Sequence, residues 1–120
     1  MNKDLTFYDT SITSAISDRL INSATCLKYG VRQGSDKHFY PYYDNEGTLT
    51  AIKTRQVTDK NFSIAGDFGS ATLFGQNLFP AGGKYLTICE GELDALAVYQ
   101  MTGSKYPAIS IRNGASAAVK

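Results

Sequence analysis

Residues 84–111 read KYLTICEGELDALAVYQMTGSKYPAISI, and this stretch decides the fold. KYLTIC is a short, mostly apolar run suited to a strand buried on both faces. Glu90-Gly91 follows, and then a helical stretch over Glu92–Met101 whose apolar stripe is Leu93, Leu96, Ala97 and Met101, with Gly103 as its stop. Pro107–Ile111 is a second apolar run. Strand, helix and strand at this spacing make a βαβ unit, so two parallel strands joined by a right-handed crossover are expected. After it, Asn113-Gly114-Ala115-Ser116 turns into the alanine-rich start of another helix. A two-stranded parallel sheet leaves edges unpaired and a face uncovered. The sequence therefore reads as a piece of a longer protein.

Upstream, the pattern is that of a small antiparallel sheet with helices. Ala15–Tyr29 has helical character: Ile16, Leu20 and Ile21 share a face, Asn22 or Ser23 offers an N-cap, and Gly30 is a suitable stop. His38–Asp44 (HFYPYYD) is aromatic-rich, Leu49–Val57 alternates, and Asn45-Glu46-Gly47 between them is turn chemistry. On the second of these strands Leu49, Ala51, Lys53, Arg55 and Val57 share one face, and Thr50, Ile52, Thr54 and Gln56 the other. A further strand near Phe62–Ile64 closes the sheet. Residues 66–83 carry five glycines and Pro80 and read as loop, anchored by Leu73, Phe74, Leu78 and Phe79. The expected class is α+β: an antiparallel-sheet subdomain over residues 1–83, then the first βαβ part of an α/β fold over 84–120.

Composition narrows the function. The 120 residues suit one small domain, and 12 basic against 11 acidic side chains leave a net charge of +1, so bulk charge announces neither a nucleic-acid nor a membrane-surface binder. With 42% hydrophobic and 19% charged residues, the chain is an ordinary globular one. No apolar run approaches the roughly 20 residues of a membrane span, and MNKDLTFYDTSITS lacks the apolar core of a signal peptide. Cys26 and Cys89 are too far apart for a zinc pair. A reducing, cytoplasmic setting is expected.

The chemistry concentrates at Glu90-Gly91-Glu92-Leu93-Asp94, on the carboxyl end of the first parallel strand, where open α/β sheets bind ligands. Glycine at 91 lets the backbone turn with no side chain in the way. Three acidic groups within five residues repel each other unless a cation or the helix N-terminus compensates, and Mg²⁺ prefers carboxylates together with substrate phosphates. Acidic residues are equally at home in the first turn of any helix, so both readings stand. Lys53 and Arg55, two apart on one strand face, together with Lys60, suit phosphate contacts as well as a solvated face. His38 has no second ligand within metal spacing and reads as an ordinary surface or strand-end histidine. Tyr40, Tyr42 and Tyr43 offer a base-stacking surface but suit a core better. Cys89, in the apolar strand, reads as an inert small hydrophobe.

Residues 84–120 resemble the first half of a TOPRIM domain, the module shared by bacterial-type primases, type IA and II topoisomerases and some nucleases. Its hallmark is a strand ending in Glu-Gly and an Asp four residues after that Glu, here Glu90-Gly91 and Asp94. The run TICEGELDALAVYQMTGSKYPAISIRNGASAA is especially similar to the primase half of the primase–helicases of T-odd bacteriophages. TRQVTDKNFSIAGDFGSATLFGQNLFPAGGK and DRLINSATCLKYGV extend the resemblance over about residues 18–120.

That resemblance implies a DNA primase making short RNA primers on a single-stranded DNA template from ribonucleoside triphosphates, by Mg²⁺- or Mn²⁺-dependent nucleotidyl transfer. Glu90 would be the catalytic acid and Glu90 with Asp94 would hold metal, while Lys53, Arg55, Lys60, Arg112 and Gly114 would meet nucleotide or template. A fused helicase domain and a homo-oligomer are implied, and the bacterial host's cytoplasm if the source is a phage. Arg112 stands where the family usually has glycine. The family's other acids come from an Asp-x-Asp on the next strand, and no Asp-x-Asp occurs in these 120 residues, so the segment alone is expected to be catalytically incomplete. Two rival readings are a non-priming nucleic-acid-binding module of a replicative helicase and a TOPRIM nuclease or topoisomerase fragment.

Overall fold

The computed structural model describes residues 8, 11–16, 20–58, 61–79, 86–104 and 106–111. Asn22 opens the first helix, α1 (Ser23–Tyr29): its side-chain oxygen accepts from the Thr25 amide at 2.8 Å, satisfying a donor that has no partner within the first turn. Gly30 closes α1 in the left-handed region at φ 75°, as a C-terminal glycine should. The helix starts later than the sequence pattern predicts. Ile16 and Ile21 exchange two backbone hydrogen bonds as an isolated antiparallel bridge; both side chains are buried and Leu20 is exposed. Two apolar residues are buried by folding back on each other rather than by sharing a helix face.

Four antiparallel strands follow in the order β1 (Arg32–Gly34), β2 (Lys37–Tyr43), β3 (Leu49–Gln56) and β4 (Phe62–Gly66). β1 is too short for its alternation to show in sequence. Between β2 and β3, the Asp44 carboxylate accepts the amides of Glu46 and Thr48 at 2.9 and 3.0 Å, the turn chemistry expected there. The register pairs Tyr40 with Lys53 and Tyr42 with Ala51, then skips Thr50 to pair Tyr43 with Leu49. That bulge turns Leu49 away from the face of Ala51 and Lys53, and it packs instead with Tyr8, Phe39 and Ile52. The unbroken alternation predicted for Leu49–Val57 fails at this point. Gly66 passes beside the bulge at φ 93°, where a Cβ would lie 2.2 Å from the Thr50 carbonyl oxygen, so only glycine fits.

Tyr40, Tyr42 and Ala51 on the inner face join the main core with Tyr29, Val31 and Phe74. The ring of Tyr29 stacks on Phe74 at 5.5 Å and meets Tyr99 edge-on at 5.4 Å, and its hydroxyl donates to the Ala108 carbonyl at 2.6 Å. Beyond Gly66, which ends β4, the described part of the glycine-rich stretch is loop with one 3₁₀ turn, Gln76–Leu78, pinned by the buried Phe74.

The βαβ unit is present: β5 (Thr87–Cys89), α2 (Glu92–Met101) and β6 (Ala108–Ser110), with β5 parallel to β6 and Ile88 opposite Ile109. Phe74 bridges the other edge of β6. Two expectations fail here. β5 is not buried on both faces, since Leu86 and Ile88 are 55% and 58% exposed and Cys89 is half-buried. α2 buries Glu92, Ala95, Leu96 and Tyr99, with Leu93 and Ala97 only partly covered and Met101 exposed. The buried positions run i, i+3, i+4, i+7 from a glutamate, and a search for an apolar stripe passes over a face that a charged residue heads.

The chain is thus α+β. The boundary predicted between residues 83 and 84 lies outside the described residues. The main core draws Tyr29 and Phe74 from one side of it and Leu96, Tyr99 and Ala108 from the other. Gln100 ties the end of α2 to the start of α1, accepting from the Asn22 amide at 2.8 Å and donating to the Leu20 carbonyl at 2.7 Å. No helix among the described residues is long and apolar enough to cross a membrane.

Candidate functional site

Glu90 follows β5, Gly91 is the N-cap of α2, and Asp94 stands in the first turn of that helix. Both carboxylate-bearing residues, Glu90 and Asp94, are exposed. Asp94 reaches back over the turn: a Cβ placed on Gly91 would be 3.7 Å from Asp94 Oδ2. Gly91 itself is extended, at φ −147° and ψ 158°, a conformation open to any residue. The turn therefore does not demand glycine, contrary to the sequence argument.

Glu92 has a separate fate. Its side chain is 4% exposed, and its Oε2 receives the Lys53 ammonium, itself 5% exposed, at 2.9 Å. The same oxygen accepts a hydrogen bond from the Tyr42 hydroxyl. The acidic run that looked devoid of basic neighbours in sequence is compensated by a lysine from the middle of β3. Lys53 Nζ also stands 4.5 Å from the centre of the Phe62 ring, a favourable placement for a cation. Burying two charges is costly unless each is paired and hydrogen-bonded, and here the pair is completed by a tyrosine.

Lys53 and Arg55 do share one side of β3, as their spacing predicts. They are not an open phosphate-facing pair, because the fold turns Lys53 into the core and onto Glu92. Arg55 is half-buried, opposite His38 and Phe62 in the sheet register. Lys60, Arg112 and Gly114 lie outside the described residues. His38 is a strand residue but not a surface one: it is buried, with Nδ1 3.1 Å from the Tyr40 hydroxyl. Tyr40 and Tyr42 are core residues, as read, and Tyr43 is half-buried. Burial, and secondarily the charge of Asp94, pushes the Cys89 thiol up, away from the reactive thiolate.

Sequence reasoning missed the Tyr42–Glu92–Lys53 cluster. A signal for it existed: a lysine and a glutamate, opposite in charge, each occupying an inward position of its own element. Only the pairing of β3 with α2 shows that the two positions meet.

Among the described residues no group of three or more acidic, histidine or cysteine side chains is placed to hold a metal ion. Glu90 and Asp94 offer two carboxylates. That suits Mg²⁺, which commonly takes one or two protein carboxylates and fills its octahedron with water and substrate phosphates. Glu92, committed to Lys53, is not available for this set.

No protein-family model matches the chain. It is 39% identical over 111 residues to the DNA helicase/primase of Enterobacteria phage T3, an alignment that covers 89% of this chain and 19% of that protein. The fold superposes on the crystal structure of the primase fragment of the bacteriophage T7 primase–helicase with a TM-score of 0.80 at 36% identity, covering 92% of this chain and 48% of that one. A second structure contains the T7 lagging-strand DNA polymerase interacting with primase domains of two subunits bound to an RNA/DNA hybrid and dTTP. Its match has a TM-score of 0.81 at 37% identity and covers 94% of this chain and 53% of that one. The chain thus spans about half the length of the primase structures it matches and a fifth of the T3 protein. In both sequence and fold, it is a homologue of the primase part of the T-odd bacteriophage primase–helicases.

Proposed function

We propose that this chain is part of a DNA primase that makes short RNA primers on single-stranded DNA, and that Glu90 and Asp94 form the TOPRIM end of its active site. The observation that carries this reading is the division of labour among three neighbouring acids. Glu92 is neutralised inside the fold, while Glu90 and Asp94 are left exposed at the carboxyl end of a parallel strand, and the homology is to primases along that same stretch.

On this reading Glu90 and Asp94 hold a divalent cation, Mg²⁺ or Mn²⁺, which supplies charge stabilisation during phosphoryl transfer. Glu90 would also take the proton of an attacking 3′-hydroxyl. Of Lys53 and Arg55, the two described members of the predicted basic set, Arg55 keeps enough exposure to meet a phosphate, and Lys60, Arg112 and Gly114 complete the nucleotide-facing group. Lys53 serves by pairing with Glu92. The remaining acids of a two-metal site are supplied from beyond these 120 residues, and a helicase domain fused to the primase delivers the template. Residues 84–120 form the first half of the TOPRIM domain, and residues 1–83 the subdomain that precedes it.

The test is template-directed synthesis. A primase–helicase carrying this segment, given ribonucleoside triphosphates, single-stranded DNA and Mg²⁺, should make short oligoribonucleotides, and residues 1–120 alone should make none. Synthesis by the isolated segment would overturn the mechanism, because it would show the missing acids to be dispensable. Absence of synthesis from the complete protein would overturn the assignment as a primase.

A further inference from the structure

The first turn of α2 carries Asp94 and adjoins Glu90, yet it has no local fastening. Its N-cap is glycine, and no side chain caps the helix. Helices that begin this way rely on tertiary contacts to fix their first turn. Here the fastening comes from Glu92, the first helical residue. Its carboxylate points into the fold and is held by the Lys53 ammonium from β3 and the Tyr42 hydroxyl from β2. All three side chains are at most a few per cent exposed. Around them Tyr42 is locked between Phe68 and Phe74, whose ring centres lie 4.9 and 5.7 Å away.

We infer that Tyr42, Lys53 and Glu92 are positioning residues: they clamp the start of α2 onto the antiparallel sheet and so set where the Glu90 and Asp94 carboxylates stand. This rests on the reading of Glu90 and Asp94 as the working pair. Glu90 and Asp94 flank Glu92 in sequence and point outward while Glu92 points inward. A side chain rooted between them therefore fixes the turn that both share. Lys53 also removes the third negative charge from a run of three, so the two outward carboxylates are left to face a cation without the repulsion of the third. Groups that orient metal-binding side chains from behind are typically worth 10–100-fold in activity or metal affinity when removed.

The test uses a primase–helicase carrying this segment. Tyr42→Phe deletes one oxygen at a core position already lined by two phenylalanines. It should lower kcat for primer synthesis about tenfold or more with KM for the ribonucleotides within about twofold. Amide hydrogen exchange should accelerate at residues 95–98, the first amides of α2 bonded within the helix, and stay unchanged in α1, which is tied to the opposite end of α2 by Gln100. A merely structural role would lower thermal stability and speed exchange throughout while leaving kcat of the folded protein unaltered. If Tyr42→Phe melts too early to assay, the double replacement Lys53→Met, Glu92→Gln, which leaves no charge unpaired inside the fold, is read the same way. Either variant, folded, with wild-type kcat or with wild-type exchange at residues 95–98, overturns the inference. Glu90→Gln in parallel separates the two claims. Its retention of full synthesis would defeat the reading of the working pair, while the exchange arm still reports whether Tyr42 holds the turn.

Discussion

Replacing Lys53 with methionine removes one charge from inside the fold and leaves its partner behind. The Lys53–Glu92 pair is 2.9 Å long with both side chains at most 5% exposed, so water cannot take over the role of the ammonium. Breaking such a pair by deleting one member costs about 3–5 kcal/mol, because the remaining charge is stranded. The Tyr42 hydroxyl stays on Glu92 and the methionine still fills apolar space beside Phe62, which places the expected loss at the lower end, about 3 kcal/mol. For a domain of this size each kcal/mol is about 3–6 °C in Tm, so Lys53→Met should melt roughly 10–18 °C below the parent. The triple replacement Tyr42→Phe, Lys53→Met, Glu92→Met removes every polar member together and should recover most of that loss, since apolar substitutes for a buried pair are often neutral. Circular dichroism melts and urea titrations of the three proteins measure this. A Lys53→Met protein melting within about 3 °C of the parent would refute the claim that the pair is buried and mutually dependent.

Three further outcomes follow from geometry. Gly66→Ala forces a Cβ to 2.2 Å from the Thr50 oxygen at φ 93°, whereas Gly47, at φ 84°, has nothing within 4 Å. In urea titrations Gly66→Ala should therefore lose roughly 3 kcal/mol or more and Gly47→Ala only about 1. Burial raises the Tyr29 phenol far above its ordinary value, so the folded state keeps a proton that the unfolded chain gives up near pH 10. That contribution is full below about pH 10 and lost above it, and Tyr29→Phe should flatten the alkaline decline in a Tm-against-pH series. Iodoacetamide followed by mass mapping should modify half-buried Cys89 well before Cys26, which is fully buried and whose thiol burial also raises. Equal rates would contradict the packing around α1.

Much of the fold was legible because its signals are local. The β2–β3 turn announces itself through Asn45-Glu46-Gly47, α1 through Asn22 and Gly30, and the βαβ unit through two apolar runs around a helix-length stretch. What escaped depends on contacts between distant segments. The bulge at Thr50 lies against Gly66 of the neighbouring strand, and nothing within Leu49–Val57 reveals that Leu49 changes face. The buried side of α2 is headed by Glu92, a residue made compatible with the core only by Lys53 arriving from β3. For the same reason Lys53 looked like a groove residue. Alternation placed it correctly on the Ala51 side of β3, but did not say that this side faces inward. Glu90 and Asp94 were legible as residues from the Glu-Gly motif, whereas their separation from Glu92 is visible only in three dimensions.

Glu90, at the end of β5, is the working acid of the proposed site. The most direct measurement is primer synthesis by a primase–helicase carrying this segment, compared with its Glu90→Gln variant on the same single-stranded template over a range of Mg²⁺ concentrations. Glu90 is exposed and lies outside the buried Tyr42–Glu92–Lys53 cluster, so the variant should melt within about 2 °C of the parent, as surface substitutions do. Its rate should fall by about 100-fold or more at every Mg²⁺ concentration. Primer yield from a folded Glu90→Gln protein equal to that of the parent would contradict the account.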